Sequence, residues 1–138
     1  MNTFSLHPQL ARDCHLVGDL PLSRVLLLDD CRYPWVILVP RRVGIREIHQ
    51  LDPLDRGRLL DESCRLGEWL LETFGGDKLN IAALGNLVPQ LHLHHVVRRH
   101  DDPAWPGPVW GHSAAQPYLA DALQQRLGQL RSAFDLDT

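Results

Sequence analysis

The sequence predicts an α+β fold: about five strands in a largely antiparallel sheet, one long helix and a C-terminal helix. Three observations predict it. Short apolar runs rich in branched residues occur before residue 40 and again after residue 77, each bounded by turn-formers. Between these two groups lies an unbroken stretch whose apolar residues recur at three- and four-residue spacing. A second stretch of that kind closes the chain. Strands and helices grouped in this way, rather than strictly alternating, mark an α+β chain.

The first strand is expected in "CHLVGDL", residues 14–20, ending before Pro21. "LSRVLLL", 22–28, and "WVILV", 35–39, flank the turn cluster "DDCRYP", so they form an antiparallel hairpin. A helix then begins at Pro53, with Asp52 as its N-cap and Asp55 adding negative charge in the first turn. Its stripe runs through Leu60, Cys64, Gly67, Leu71 and Phe74, broadened by Leu59, Leu66 and Leu70. Gly75-Gly76 stops it, because glycine tolerates the left-handed position after a helix. "KLNIAALG", 78–85, and "QLHLHHVV", 90–97, are two further strands joined near Gly85-Asn86. Prolines and glycines in "DDPAWPGPVWG", 101–111, forbid regular structure there. Leu119, Leu123, Leu127, Leu130 and Phe134 share one face of the terminal helix.

The bulk numbers narrow the function classes. A chain of 138 residues fits one domain with a single core. With 14 Lys+Arg against 17 Asp+Glu, it lacks the cation surplus that displaces counterions from a nucleic-acid backbone. No apolar run approaches the roughly 20 residues that span a bilayer, and no partnership with a membrane is expected. The start, "MNTFSLHPQLARDC", lacks the basic-then-apolar pattern of a secretory signal. Cys14, Cys31 and Cys64 are odd in number and widely spaced, which suits reduced thiols in a cytoplasmic protein.

The chemistry concentrates in "VPQLHLHHVV", residues 88–97. Side chains alternate along a strand, so Gln90, His92 and His94 share one face while Leu91, Leu93 and His95 share the other. The two leucines make the second face the core side. Three readings of the polar face remain open. His92 and His94 can hold a metal, although no Cys or acidic residue sits nearby at a suggestive spacing to complete the ligand set. They can form a solvated face without chemistry. Or one imidazole is a nucleophile or base oriented by its neighbours, since an ordinary histidine, with a pKa of about 6.5, is largely neutral at physiological pH.

"NIAALGNLVPQLHLHHVV" resembles the signature of the histidine triad (HIT) superfamily, His-φ-His-φ-His-φ-φ with φ apolar. Gln90 falls at the first histidine, His92 at the second and His94 at the third. "RVLLLDDCRYPWVILVPRRVGIREIHQL" is similar to the family's nucleotide-binding hairpin, and a bacterial branch with Gln-x-His-x-His and the tail "DDPAWPGPVWG" is especially close. The likeness runs from about residue 10 to residue 111, with a C-terminal helix over about 117–135.

This resemblance implies a HIT-like fold and a nucleotidyl hydrolase or transferase that needs no cofactor. The middle histidine, His92, would attack the α-phosphate of a nucleoside phosphate ester, anhydride or amidate, dinucleoside polyphosphates included, and form a covalent nucleotidyl-histidine. His94 would contact the phosphate or leaving-group oxygen, and Gln90 would orient its neighbour. Asn80 and Asn86 are the candidate donors to phosphate oxygens. Asp29 or Asp30 is the candidate acceptor for ribose hydroxyls; the plain alternative is an ordinary turn. The family also implies a homodimer with the 53–75 helix in the contact.

Three positions depart from the family pattern. Gln90 replaces an imidazole with an amide, which cannot shuttle a proton near neutral pH. Leu87 stands where many relatives carry Ser or Thr, and Val43 where one branch carries a histidine. A nucleotide-binding regulatory module with little catalysis is therefore the alternative function. Arg41, Arg42, Arg98 and Arg99 either lend positive potential to the site or pair on the surface. Trp105 and Trp110 either stack on a base or pack.

Overall fold

A computed structural model describes residues 3–136. Five strands form one sheet in the order β1-β2-β3-β5-β4: β1 (Cys14–Asp19), β2 (Ser23–Leu28), β3 (Trp35–Pro40), β4 (Lys78–Ala82) and β5 (Leu93–Arg98). Every neighbouring pair is antiparallel. The helices are α1 (Pro8–Asp13), α2 (Pro53–Phe74) and α3 (Ala120–Phe134). The α+β expectation holds. Among the described residues, no helix is long and apolar enough to cross a membrane.

β2 and β3 read as continuous apolar runs because both faces of the sheet are covered. One face packs Val25, Leu27, Val36, Leu38, Leu93 and Val97 against Leu59, Leu66 and Leu70 of α2 and Leu127 and Leu130 of α3. The other packs Leu26, Trp35, Ile37 and Val96 against Leu10 of α1, Val88 and the tail residues Ala104 and Val109. A buried face on each side removes the alternation that a half-exposed strand would show.

α2 begins as its sequence demands, with the Asp52 side chain accepting from the Asp55 N–H, and ends at Gly75 in the left-handed region (φ 64°). Its buried face differs from the expected stripe. Asp55, Leu59, Glu62, Ser63, Leu66, Gly67 and Leu70 face the sheet, whereas Leu60 is 66% exposed and Cys64 is exposed. Polar residues can hold sheet-side positions because each has a partner. Glu62 accepts from the N–H groups of Leu22 and Ser23 at 2.9 and 3.0 Å, and Ser63 bonds His95. Gly67 lets helix and sheet approach closely: a Cβ there would lie 2.6 Å from the Leu79 side chain.

Three other boundaries shift. β4 ends at Ala82, short of the expected residue 85, and α3 starts at Ala120, leaving Leu119 82% exposed. β5 starts at Leu93 rather than residue 90. The main chain at Leu91 bonds instead to the Ile45 carbonyl, outside the ladder. α1 and a single 3-10 turn at Ile48–Gln50 are short elements that the periodicity did not signal.

Candidate functional site

β5 carries the histidines to the sheet face that α1 and the tail cover, and the alternation behaves as expected. His94 sits with Trp35 and Ile37, while His95 is fully buried on the α2 side. His92 immediately precedes the strand, and its ring lies 4.9 Å from that of His94, centroid to centroid. A cleft of about 1010 Å³ opens over this pair. That is the upper end of the range for small-molecule sites, roughly 300–1,000 Å³. Leu10, Leu28, Ile37, Val88, Val109 and Trp110 give it apolar walls, and residues 84–88 form one edge.

The hydrogen bonds assign a different tautomer to each histidine. His92 Nδ1 lies 2.7 Å from the main-chain oxygen of Gln90. A carbonyl only accepts, so Nδ1 carries a proton, and in the neutral ring the lone pair is on Nε2. His94 is the reverse. Its Nδ1 lies 2.9 Å from Trp35 Nε1, and an indole N–H only donates, so Nδ1 accepts and the proton sits on Nε2. Burial, reinforced by His92 and His95, lowers the His94 pKa to about 3. The two side chains therefore present complementary groups: an unprotonated nitrogen on His92 and a neutral N–H donor on His94. The aromatic frame around His94 is dense, with Trp110 at 5.4 Å and Trp35 at 5.8 Å between ring centroids.

His95 has no part in the cleft. Its Nδ1 meets the Leu93 carbonyl at 3.1 Å and its Nε2 the Ser63 hydroxyl at 2.7 Å, and burial lowers its pKa to about 4.

A model of the HIT domain matches residues 9–101. The chain belongs to the HIT-domain family. Three solved HIT structures share its form over almost the whole length. A histidine triad protein from Marinobacter aquaeolei is 51% identical, with TM-score 0.95, and the match covers 97% of this chain and 98% of that one. One from Bradyrhizobium japonicum is 47% identical, with TM-score 0.94 and coverage of 96% and 99%. One from Sinorhizobium meliloti is 41% identical, with TM-score 0.92 and coverage of 95% and 97%. No curated protein matches this chain.

Within this HIT fold the expected site residues separate. Asn86 lines the cleft with His92 and His94. Asp30 also reaches it, but its carboxylate is held in a two-bond fork by Arg32 at 2.9 and 3.0 Å. Burial alone would raise the Asp30 pKa; the bonds from Arg32 overcome that and lower it. Asp29 is turned away, accepting from the Tyr118 N–H at 3.0 Å and lying 3.0 Å from His15 Nε2. Asn80 is likewise outside the cleft wall, its amide oxygen accepting from Arg98. Two of the four expected substrate contacts are thus joints of the scaffold.

Gln90 shows the largest difference. Its side chain does not face His92 as a strand neighbour would; because the strand starts three residues later, the amide points to the amino-terminal arm. Oε1 accepts from the His7 N–H and Nε2 donates to the Ser5 carbonyl, both at 2.9 Å. Only its main-chain oxygen touches the nucleophile candidate.

The four arginines with proposed positive potential are all engaged. Arg98 is buried between Asp102, Asn80 and the Gly107 carbonyl. Arg99 pairs with Asp101, Arg42 with Asp55, and Arg41 bonds the carbonyls of Leu20 and Pro21. Trp110 stands in the cleft wall, whereas Trp105 packs between Arg98 and His100. Among the described residues, no group of three or more His, Cys, Asp or Glu could hold a metal ion.

Sequence reasoning missed Trp35 and the arm residues His7, Gln9 and Asp13, which line the cleft too. Their spacing carries no signal, because the contacts bridge 59 residues between Trp35 and His94 and 83 between His7 and Gln90.

Proposed function

We propose that this HIT protein is a nucleotide-binding hydrolase or nucleotidyltransferase in which His92 Nε2 attacks the α-phosphate of a nucleoside phosphate derivative. The observation that carries this reading is the tautomer pair. A nitrogen lone pair on His92 faces the same cleft as a fixed N–H donor on His94, and the backbone of Gln90 steadies the attacking ring from behind. As the Nε2–phosphorus bond forms, the bond from phosphorus to the leaving group breaks and its electron pair departs with that group; the ring becomes cationic, and the carbonyl dipole at Nδ1 stabilises that charge. His94 Nε2–H donates to a phosphate oxygen as its negative charge grows. Asn86 adds an amide at the cleft edge, and the apolar walls suit a nucleobase. Water then attacks phosphorus and loses a proton to solvent, the phosphorus–nitrogen bond breaks with its electron pair returning to His92, and nucleoside monophosphate is released.

A binding module with little turnover is the second reading. It draws on the diverted Gln90 amide and on Leu87, which is 94% exposed at the cleft edge and offers no hydroxyl. We further propose a homodimer through the exposed apolar side of α2 (Leu54, Leu60) and the edge strand β4 (Ile81), and a cytoplasmic setting that suits three free cysteines.

The test is release of nucleoside monophosphate from a panel of adenosine and guanosine phosphate derivatives by the native protein and by His92→Ala. Turnover abolished in the folded variant supports the hydrolase. Equal turnover by both contradicts it, and binding without turnover by the native protein favours the module.

A further inference from the structure

A third imidazole lines the cleft, and it comes from outside the histidine strand. His7, in the amino-terminal arm, is half-buried on the wall that also holds His92 and His94. Gln90 Oε1 accepts from the His7 N–H while Gln90 Nε2 donates to the Ser5 carbonyl, each at 2.9 Å, so one amide grips the arm on both sides of Leu6. The ring is fixed as well, because His7 caps α1 with Nδ1 accepting from the Gln9 N–H at 3.0 Å. Leu10 anchors that helix in the core, and Phe4 and Leu6 pack against the same cluster. The arm is therefore seated on the sheet. In the neutral ring an accepting Nδ1 puts the proton on Nε2. Among the described residues that Nε2 has no partner, so its N–H is left for a ligand. Capping explains only Nδ1: serine, asparagine or aspartate would cap at least as well, and none of them would carry a second nitrogen into the cleft.

We infer that His7 is a phosphate-contacting residue of this site, its Nε2–H donating to an oxygen of the phosphoryl group held at His92 and His94. The inference rests on the reading of the cleft as a nucleotide site. Gln90 couples the two regions. Its main-chain oxygen meets His92 Nδ1 at 2.7 Å, while its side chain holds the main chain of His7. The residue at the first position of the Gln-x-His-x-His pattern thus turns its own amide to the arm, and the arm returns an imidazole to the cleft. A phosphoryl oxygen is the acceptor that suits this donor, because a hydrogen bond to an anionic oxygen is about twice as strong as one to a neutral group. The bond transfers no proton. It adds to the donor on His94, and it brings a segment 83 residues from Gln90 in sequence into substrate recognition.

His7→Ser separates the donor from the cap, since serine still caps α1 but removes the ring. The full chain and this variant are titrated with adenosine and guanosine 5′-monophosphates and with the two nucleosides. The expected result is monophosphate affinity about tenfold or more weaker in His7→Ser, as for the loss of a hydrogen bond to a charged group, with nucleoside affinity and amide exchange of the arm unchanged. In the native protein the side-chain ¹⁵N resonance of His7 Nε2 should shift when a monophosphate binds and stay in place with the nucleoside. That second measurement stands even where the variant folds poorly. Monophosphate binding unchanged in His7→Ser, equal losses for monophosphate and nucleoside, or an Nε2 resonance that ignores the phosphate would overturn the inference and leave His7 a cap. A native protein that binds neither monophosphate nor nucleoside would instead contradict the nucleotide reading, and remove this inference with it.

Discussion

Trp35 Nε1 donates to His94 Nδ1 across 2.9 Å, joining the first residue of β3 to the second of β5 inside the aromatic frame of the cleft. One indole proton decides which face of the imidazole can serve a ligand. Under the proposed function Trp35 is a positioning residue that acts through His94. Trp35→Phe keeps the ring and deletes the donor. The expected outcome is a second tautomer of His94, visible in its side-chain ¹⁵N shifts. It should come with a fall in kcat of about tenfold or more and little change in KM, because an oriented donor matters most in the transition state. An unchanged tautomer and kcat would contradict this role.

The Gln90 side chain ties the amino-terminal arm to the strand entry. Gln90→Ala removes both bonds to the arm but leaves the main-chain oxygen that holds His92. Two such bonds contribute about 1–3 kcal/mol together. Amide exchange over residues 4–7 should therefore accelerate about tenfold or more while kcat falls less than that. A loss of kcat with an undisturbed arm would show that the amide side chain serves the chemistry directly.

Acidification should destabilise the fold from near pH 6.5 downward. Burial lowers His94 to about 3 and His95 to about 4, against 6.5 for an unperturbed histidine. Between those values the unfolded chain binds the protons that the folded one refuses, so stability rises with pH there. The slope is about 1.4 kcal/mol per pH unit for each group fully protonated in the unfolded chain only. Urea unfolding at pH 7, 6 and 5 measures it; equal midpoints at all three would contradict the burial of neutral rings.

Glu62 ties α2 to the start of β2 through two main-chain N–H groups. Glu62→Leu leaves both donors buried and unpaired, and should cost roughly 2–5 kcal/mol in urea unfolding. By comparison, Glu68→Ala, at an exposed position of the same helix, should change stability by less than about 0.5 kcal/mol.

Most of the fold was legible in the sequence because its signals are local. The N-cap at Asp52, the stop at Gly75 and the turn formers between residues 29 and 34 act on their immediate neighbours. The placement of His92 and His94 opposite His95 was legible for the same reason, since it needs only the alternation of a strand. The start of β5 was not. Pairing with Ile45 and capture of Gln90 by Ser5 and His7 decide it, and both are contacts across the chain. The position of Asp29 and Asn80 outside the cleft wall was not legible for a related reason. Polar residues near a site suggest ligand contacts, but here Tyr118 and the buried Arg98 claim them first. The α2 stripe failed where hydrophobicity was the guide, because Glu62 and Ser63 face inward on the strength of their partners while Leu60 faces out.

The proposed reaction turns on a bond from His92 Nε2 to phosphorus. Rapid acid-free quenching of the native protein with adenosine and guanosine phosphate substrates, followed by peptide mass analysis, tests it most directly. A nucleoside monophosphate adduct is expected on the peptide containing His92, absent from His92→Ala and formed at least as fast as product appears. Product release at full rate with His92 unmodified at every time point would contradict it.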